Sequence, residues 1–275
     1  MAAAALAQKP PAASAPPAGQ TPAQSHPATK ANDELLARAG KLYYSTAHTG
    51  FEGFDCAIHP DWHALFVSAQ PGVPIAADDP RIVLLKSAKI ALHAHAKGNS
   101  SVEWTPPATA GKPLDESSAN MLDGLHQAVE QSLMGFLQFW TPFVDGSAVP
   151  ASSEGLELTK TEDGYRLYAE ENGTAVTEVL DNQLLLKEFH VAMNQATVDF
   201  APAYKPTEKG LLVSSFLAHV LPAGAPSGQA QEMHVTIAYQ TVDGFAVPAE
   251  LTMNVLNSGA FEFALDGCTV SRLTK

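Results

Sequence analysis

The sequence predicts an α+β protein: a curved antiparallel β-sheet, left as an unclosed half-barrel, with helices covering its concave face. Three observations predict it. From Gly155 onward turn signals recur at short intervals, namely Glu162-Asp163-Gly164, Glu171-Asn172-Gly173, Asp181-Asn182, Glu208-Lys209-Gly210, Asp243-Gly244, Asn257-Ser258-Gly259 and Asp266-Gly267. The runs between them alternate or are apolar and hold no helical stretch, the mark of an antiparallel meander. One long amphipathic helix precedes them, and a sheet of about seven to ten strands must curl, close or be covered.

The elements follow in chain order. Residues 1–31 are Ala, Pro, Ser, Gln and Thr for the most part and carry no period. Such a segment cannot offset its ordering entropy by burial and is expected to be a flexible tether. Ala5-Leu6-Ala7 has the small-x-small form of a signal-peptidase site, so the chain is expected to begin inside the tail of a signal peptide. Residues 32–275 then form a single domain. Leu35, Leu36, Ala39, Leu42 and Tyr43 recur at helical spacing behind a cap at Asn32 or Asp33, giving a helix over about 33–47. Phe51 to Ile58 alternates as a strand. Pro60 stops it ahead of a short helix from Asp61 to Ala69, and a proline-rich loop covers 70–80. Leu92, Ala94 and Ala96 alternate with His93 and His95, a strand with one wet face, and Val102 to Trp104 continues as another.

The helix over 115–141 has the strongest period. Leu122, Leu125, Val129, Leu133, Phe136 and Trp140 form its core stripe, and beyond Leu133 it is apolar all round as Met134, Leu137 and Phe139 join. An end of that kind must be covered on more than one side. The strands after it are Tyr165 to Tyr168, Ala175 to Val179, Leu184 to Met193, Thr197 to Phe200, Leu211 to Leu221, Met233 to Tyr239, Ala249 to Leu256 and Phe261 to Leu265.

Composition excludes several functions. The net charge of −13 repels phosphate backbones, and no basic run offsets it, so nucleic acid is not a partner. No run of about 20 apolar residues is present to span a bilayer as a helix. Two cysteines, Cys56 and Cys268, suit one disulfide in an exported protein, with two buried free thiols as the alternative. With no third cysteine, a cysteine-based zinc site is excluded.

The search for chemistry yields no nucleophile elbow, no phosphate-binding glycine loop, no dinucleotide fingerprint and no zinc-protease motif. His59, Asp61, His63, His93 and His95 could bind zinc or copper if their segments met. They read equally as exposed strand positions and a helix cap, so no metal, cofactor or catalytic residue is assigned and the chain is read as a non-enzyme. The aromatic set is more informative. Leu133, Phe136, Leu137, Phe139, Trp140 and Phe143 crowd the end of the long helix, and Phe189, Phe200, Phe216 and Tyr239 lie on expected strands. They form either a packed core or the lining of an apolar cavity under a helical lid.

The order of elements, with Asp163-Gly164-Tyr165-Arg166-Leu167 after the helical region and Val247-Pro248-Ala249-Glu250-Leu251 near the end, resembles the outer-membrane lipoprotein carrier and sorting superfamily. The resemblance covers residues 33–275. It implies an unclosed barrel with helical lids that holds lipid chains in the periplasm. The carriers of that superfamily use a basic residue early in the barrel, whereas Phe51 to Ile58 has no Arg or Lys; the resemblance therefore implies lipid binding in a broad sense. The resulting expectation is an exported cell-envelope protein that binds or carries a lipid or other apolar ligand. The alternatives are an envelope structural or protein-interaction domain with no ligand, and an unrecognised metal-dependent enzyme.

Overall fold

The structure is a computed structural model and describes residues 28–47, 49–70, 72–96, 98–108, 115–226, 229–256 and 259–272. The expected cleavage site at Ala5-Leu6-Ala7, the expected tether up to residue 27, and the Asn257-Ser258 part of one expected turn lie outside the described residues.

The chain folds as α1 (Lys30–Gly40), β1 (Phe51–Pro60), α2 (Trp62–Ala69), α3 (Pro80–Leu85), β2 (Lys89–His95), β3 (Ser101–Thr105), α4 (Glu116–Val144) and then nine strands. These are β4 (Glu157–Lys160), β5 (Gly164–Glu171), β6 (Thr174–Asp181), β7 (Leu186–Ala192), β8 (Ala196–Thr207), β9 (Gly210–Pro222), β10 (Gln231–Val242), β11 (Phe245–Val255) and β12 (Gly259–Arg272). All twelve strands belong to one antiparallel sheet in the order β3-β2-β1-β12-β11-β10-β9-β8-β7-β6-β5-β4. The sheet is not closed, and it is the α+β architecture the turn pattern predicts.

Helix α4 connects the two edge strands, β3 and β4, and so must cross the sheet. Its packing requires the sheet to curve around it. Trp140 meets Phe54 of β1 edge to face at 5.7 Å, while the neighbouring Phe139 stacks on Phe200 of β8 at 5.6 Å. Five strand spacings separate β1 from β8, about 24 Å on a flat sheet. A helix with side chains is only about 10–12 Å across, so the sheet wraps it. Leu122, Val129, Leu133, Phe136, Leu137, Trp140 and Val144 are buried along its inward face. The Asp115 carboxylate caps its N-terminus by accepting from the Ser118 N–H at 2.8 Å.

Several elements differ from the sequence expectation, each for a local reason. The first helix is Lys30–Gly40 instead of 33–47, and its cap is Thr29, whose Oγ1 accepts from Asn32 N–H at 3.3 Å. Asp33 is used elsewhere: its carboxylate accepts from the Ser153 N–H and hydroxyl, both at 2.8 Å. The chain then leaves the helix because Tyr44 N–H bonds the Leu211 carbonyl at 2.9 Å. The apolar block Ile82 to Leu85, which has no period, is the short helix α3, opened by Asp79 and Pro80. The long helix runs three residues past its expected end at 141, through the exposed Pro142.

The strand count exceeds the expected range because β4 forms without a sequence signal and because β1–β3 join the same sheet beside β12. Asp266-Gly267 is a bulge inside β12, not a turn. Gly267 has φ 56°, and Gly267 and Cys268 together oppose the single residue Cys56 of β1. Across this bulge Cys56 and Cys268 are disulfide-bonded, with Cα atoms 4.2 Å apart. The alternative of two free thiols does not hold.

Two hydrophobic cores result. The larger packs α4, α2 and α3 against β1, β2 and β9–β12. The smaller packs Leu35, Leu36 and Ala39 of α1 against Leu167, Leu180 and Leu186 of β5–β7. Phe143 and Tyr204 touch both. The junction between the cores is the place where packing is incomplete.

Candidate functional site

At that junction, where α4 ends over β6–β8, lies a half-open cavity of about 240 Å³, with Gln138, Pro142 and Ser147 exposed at its mouth. Phe139, Pro142 and Phe143 of α4 roof it, Phe189 and Phe200 form its strand wall, Ala148 and Pro150 close it from the following segment, and Gln138, Ser147 and Glu178 add polar groups. The strand register builds this floor. Leu167, Glu178, Phe189, Phe200 and Ala218 are successive cross-strand partners on β5 through β9 and therefore face the same side. Four members of that row are apolar. The fifth is a glutamate.

Glu178 is only 8% exposed, and among the described residues its Oε2 has no hydrogen-bond partner. Loss of water raises its pKa from 4.5 to about 7, with no opposing contribution from a nearby cation. The titratable groups coupled to it are tyrosines. Tyr204 packs its ring on Tyr43 at 5.2 Å, and burial raises both hydroxyls above their ordinary range. The Tyr43 hydroxyl accepts from Leu186 N–H at 2.6 Å. Buried polar groups in folded proteins are overwhelmingly paired, so the unpartnered Oε2 of Glu178, a residue of the cavity wall, requires an explanation.

All ten apolar residues singled out in the sequence pack in or against the larger core, and four of them also line the cavity. Phe139, Phe143, Phe189 and Phe200 come together around the cavity. Leu133, Phe136, Leu137, Trp140, Phe216 and Tyr239 are packed in the larger core. Trp140 donates to the Tyr239 hydroxyl at 2.9 Å, which donates to the Val213 carbonyl at 2.6 Å, so that polar pair is satisfied internally. Phe200 and Phe216 lie 4.7 Å apart, and Phe139 and Phe143 both stack on Phe200.

Glu178 is the residue the sequence reading missed. The available signal was its spacing: Val176, Glu178 and Leu180 share one face of a strand. The histidines stay apart. His59 Nε2 meets Asp266 at 3.1 Å, His63 Nε2 bonds the Ile75 carbonyl at 3.0 Å, and His93 Nδ1 meets Asp55 at 2.5 Å. Among the described residues no group of three or more His, Cys, Asp or Glu is placed to hold a metal. A larger depression of about 520 Å³ lies at His59, Asp61, Lys86, Glu250 and Glu262. It is solvent-open and lined by hydrated charges, so it lacks the desolvated polar group that distinguishes the α4 cavity.

Comparison of the chain with protein-family models, with curated proteins and with solved structures returned no match.

Proposed function

We propose that this protein is an exported carrier or sensor that holds a small, largely apolar ligand in the cavity between α4 and β6–β8. The observation that carries the reading is Glu178, a buried acid on the wall of a half-open cavity it shares with four phenylalanines, whose Oε2 has no partner among the described residues. An acid in that position destabilises the fold and serves no packing purpose; such groups concentrate at binding and catalytic sites. The void is below the roughly 300–1,000 Å³ of drug-sized pockets but above the roughly 150 Å³ that admits benzene. A short ligand fits it better than a long acyl chain. Export is supported by the disulfide, which persists in oxidising compartments. The resemblance to the lipoprotein carrier and sorting superfamily agrees with an apolar ligand held under a helical lid.

Titration calorimetry with linear alcohols from butanol to decanol tests the reading. Affinity is expected to rise about fourfold per methylene until the chain outgrows the cavity, and then to level off. Phe189→Trp, which puts a larger ring into the void, should abolish binding. Absence of saturable binding across the series overturns the proposal. It would leave the second reading, a partner-docking domain, which the close stacking of Phe139, Phe143, Phe200 and Phe216 favours.

A further inference from the structure

We infer that the ligand is a small organic cation, an alkylammonium or trimethylammonium compound, bound with its charge between Glu178 and the phenylalanine rings. The inference rests on the cavity being a binding site, as proposed above, and names the chemistry it selects. A neutral apolar ligand would be served by an all-apolar wall, and at position 178 the fold instead places a carboxylate in the middle of an apolar cross-strand row. Glu178 lines the cavity, and its Oε2, closed off from water, has no donor among the described residues to meet it.

Four phenylalanines, Phe139, Phe143, Phe189 and Phe200, share the lining with Pro142, Ala148, Pro150, Gln138 and Ser147. The face of a benzene ring carries negative quadrupole density, and rings of this kind, combined with an acid, are the means by which proteins hold alkylated ammonium groups without hydrating them. The volume of about 240 Å³ admits a trimethylammonium group with a short tail. The net charge of −13 draws cations toward the protein and repels anions. Among the described residues no lysine, arginine or histidine lines the cavity to compete for the carboxylate. The titratable groups that couple to Glu178 are Tyr43 and Tyr204, and both remain neutral below pH 10 because burial raises them.

Choline and 3,3-dimethylbutan-1-ol have the same shape and differ in the charge at one atom, which makes them the discriminating pair. Both are titrated calorimetrically into the intact protein at matched ionic strength, at pH 8 and at pH 5.5. Choline is expected to bind roughly tenfold more tightly at pH 8 and to lose that advantage at pH 5.5, where Glu178 holds its proton. Glu178→Gln should erase the advantage at both pH values and retain the neutral alcohol. The substitution removes a desolvated acid, so the variant should fold at least as well. Equal or tighter binding of the neutral alcohol at pH 8 overturns the cation inference and leaves the apolar site standing. A choline preference that survives Glu178→Gln overturns it as well. Binding of neither probe overturns this inference, and the linear-alcohol titration decides separately whether the apolar site stands.

Discussion

At the scale of single residues, the molecule is decided by where it places polar groups inside apolar surroundings. Trp140 and Tyr239 show the satisfied case, a donor chain that ends on the Val213 carbonyl. Glu178 shows the opposite. Its folded pKa lies above its unfolded value, and the sign of the linkage follows. Below about pH 4.5 the acid is protonated in both states and costs nothing. As pH rises from 4.5 to about 7 the unfolded chain releases the proton and the folded chain keeps it, so stability falls; above about 7 the full penalty is present. The gap corresponds to roughly 3 kcal/mol. Glu178→Gln should therefore raise the urea midpoint at pH 8 by an amount equivalent to as much as roughly 3 kcal/mol, and change it little at pH 4.5. A variant equally destabilised at both pH values would show that the carboxyl is paired in solution. Glu178 was hard to find from sequence for a physical reason. In Thr174–Asp181 both faces carry apolar residues, Ala175 and Val179 on one and Val176 and Leu180 on the other. Only the pairing of Glu178 with Phe189 shows which face is buried.

At the scale of elements, α4 and the β1–β12 junction hold the sheet in its curve. The helix was legible because its period is local: Leu122, Val129, Leu133, Phe136 and Trp140 repeat at helical steps and are the residues it buries. The bulge at Asp266-Gly267 was not, since aspartate followed by glycine favours a turn and a left-handed bulge alike, and only the strand opposite distinguishes them. The disulfide across that bulge joins positions 212 residues apart. It clamps β1, and with it β2 and β3, to the end of the meander. Closing so long a loop restricts the unfolded chain by about 5 kcal/mol on the chain-entropy argument. Reduction, or replacement of Cys56 and Cys268 by serine, should shift the denaturation midpoint by an amount approaching that figure, read by urea titration with and without reductant. An unchanged midpoint would mean that the β1–β12 pairing contributes its stability without the clamp.

At the scale of the whole molecule, the fold is a meander that cannot close, wrapped on a helix whose two ends lead from one sheet edge to the other. The antiparallel sheet was legible in the spacing of turns after Gly155. The joining of β1–β3 to β12 was not, because the strands that meet are separated by nearly the whole chain. The same non-local closure creates the cavity. One core is built by α4 on β1, β2 and β9–β12, the other by α1 on β5–β7, and the junction of the two is left partly unfilled beside Phe143. Phe139, Phe143, Phe189 and Phe200 were legible as part of an aromatic set, but which members of that set also line the cavity depends on how the two cores abut.

Glu178 lines the cavity, so the protonation of its carboxyl is a direct readout of the site. Its titration can be followed through the side-chain carboxyl ¹³C resonance, alone and in the presence of saturating choline. The midpoint should lie near 7 in the free protein and move down by a unit or more, on the order of a close opposite charge, when the cation is bound. A midpoint near the ordinary value of a glutamate, unmoved by choline or by 3,3-dimethylbutan-1-ol, would contradict both the buried acid and the binding site built on it.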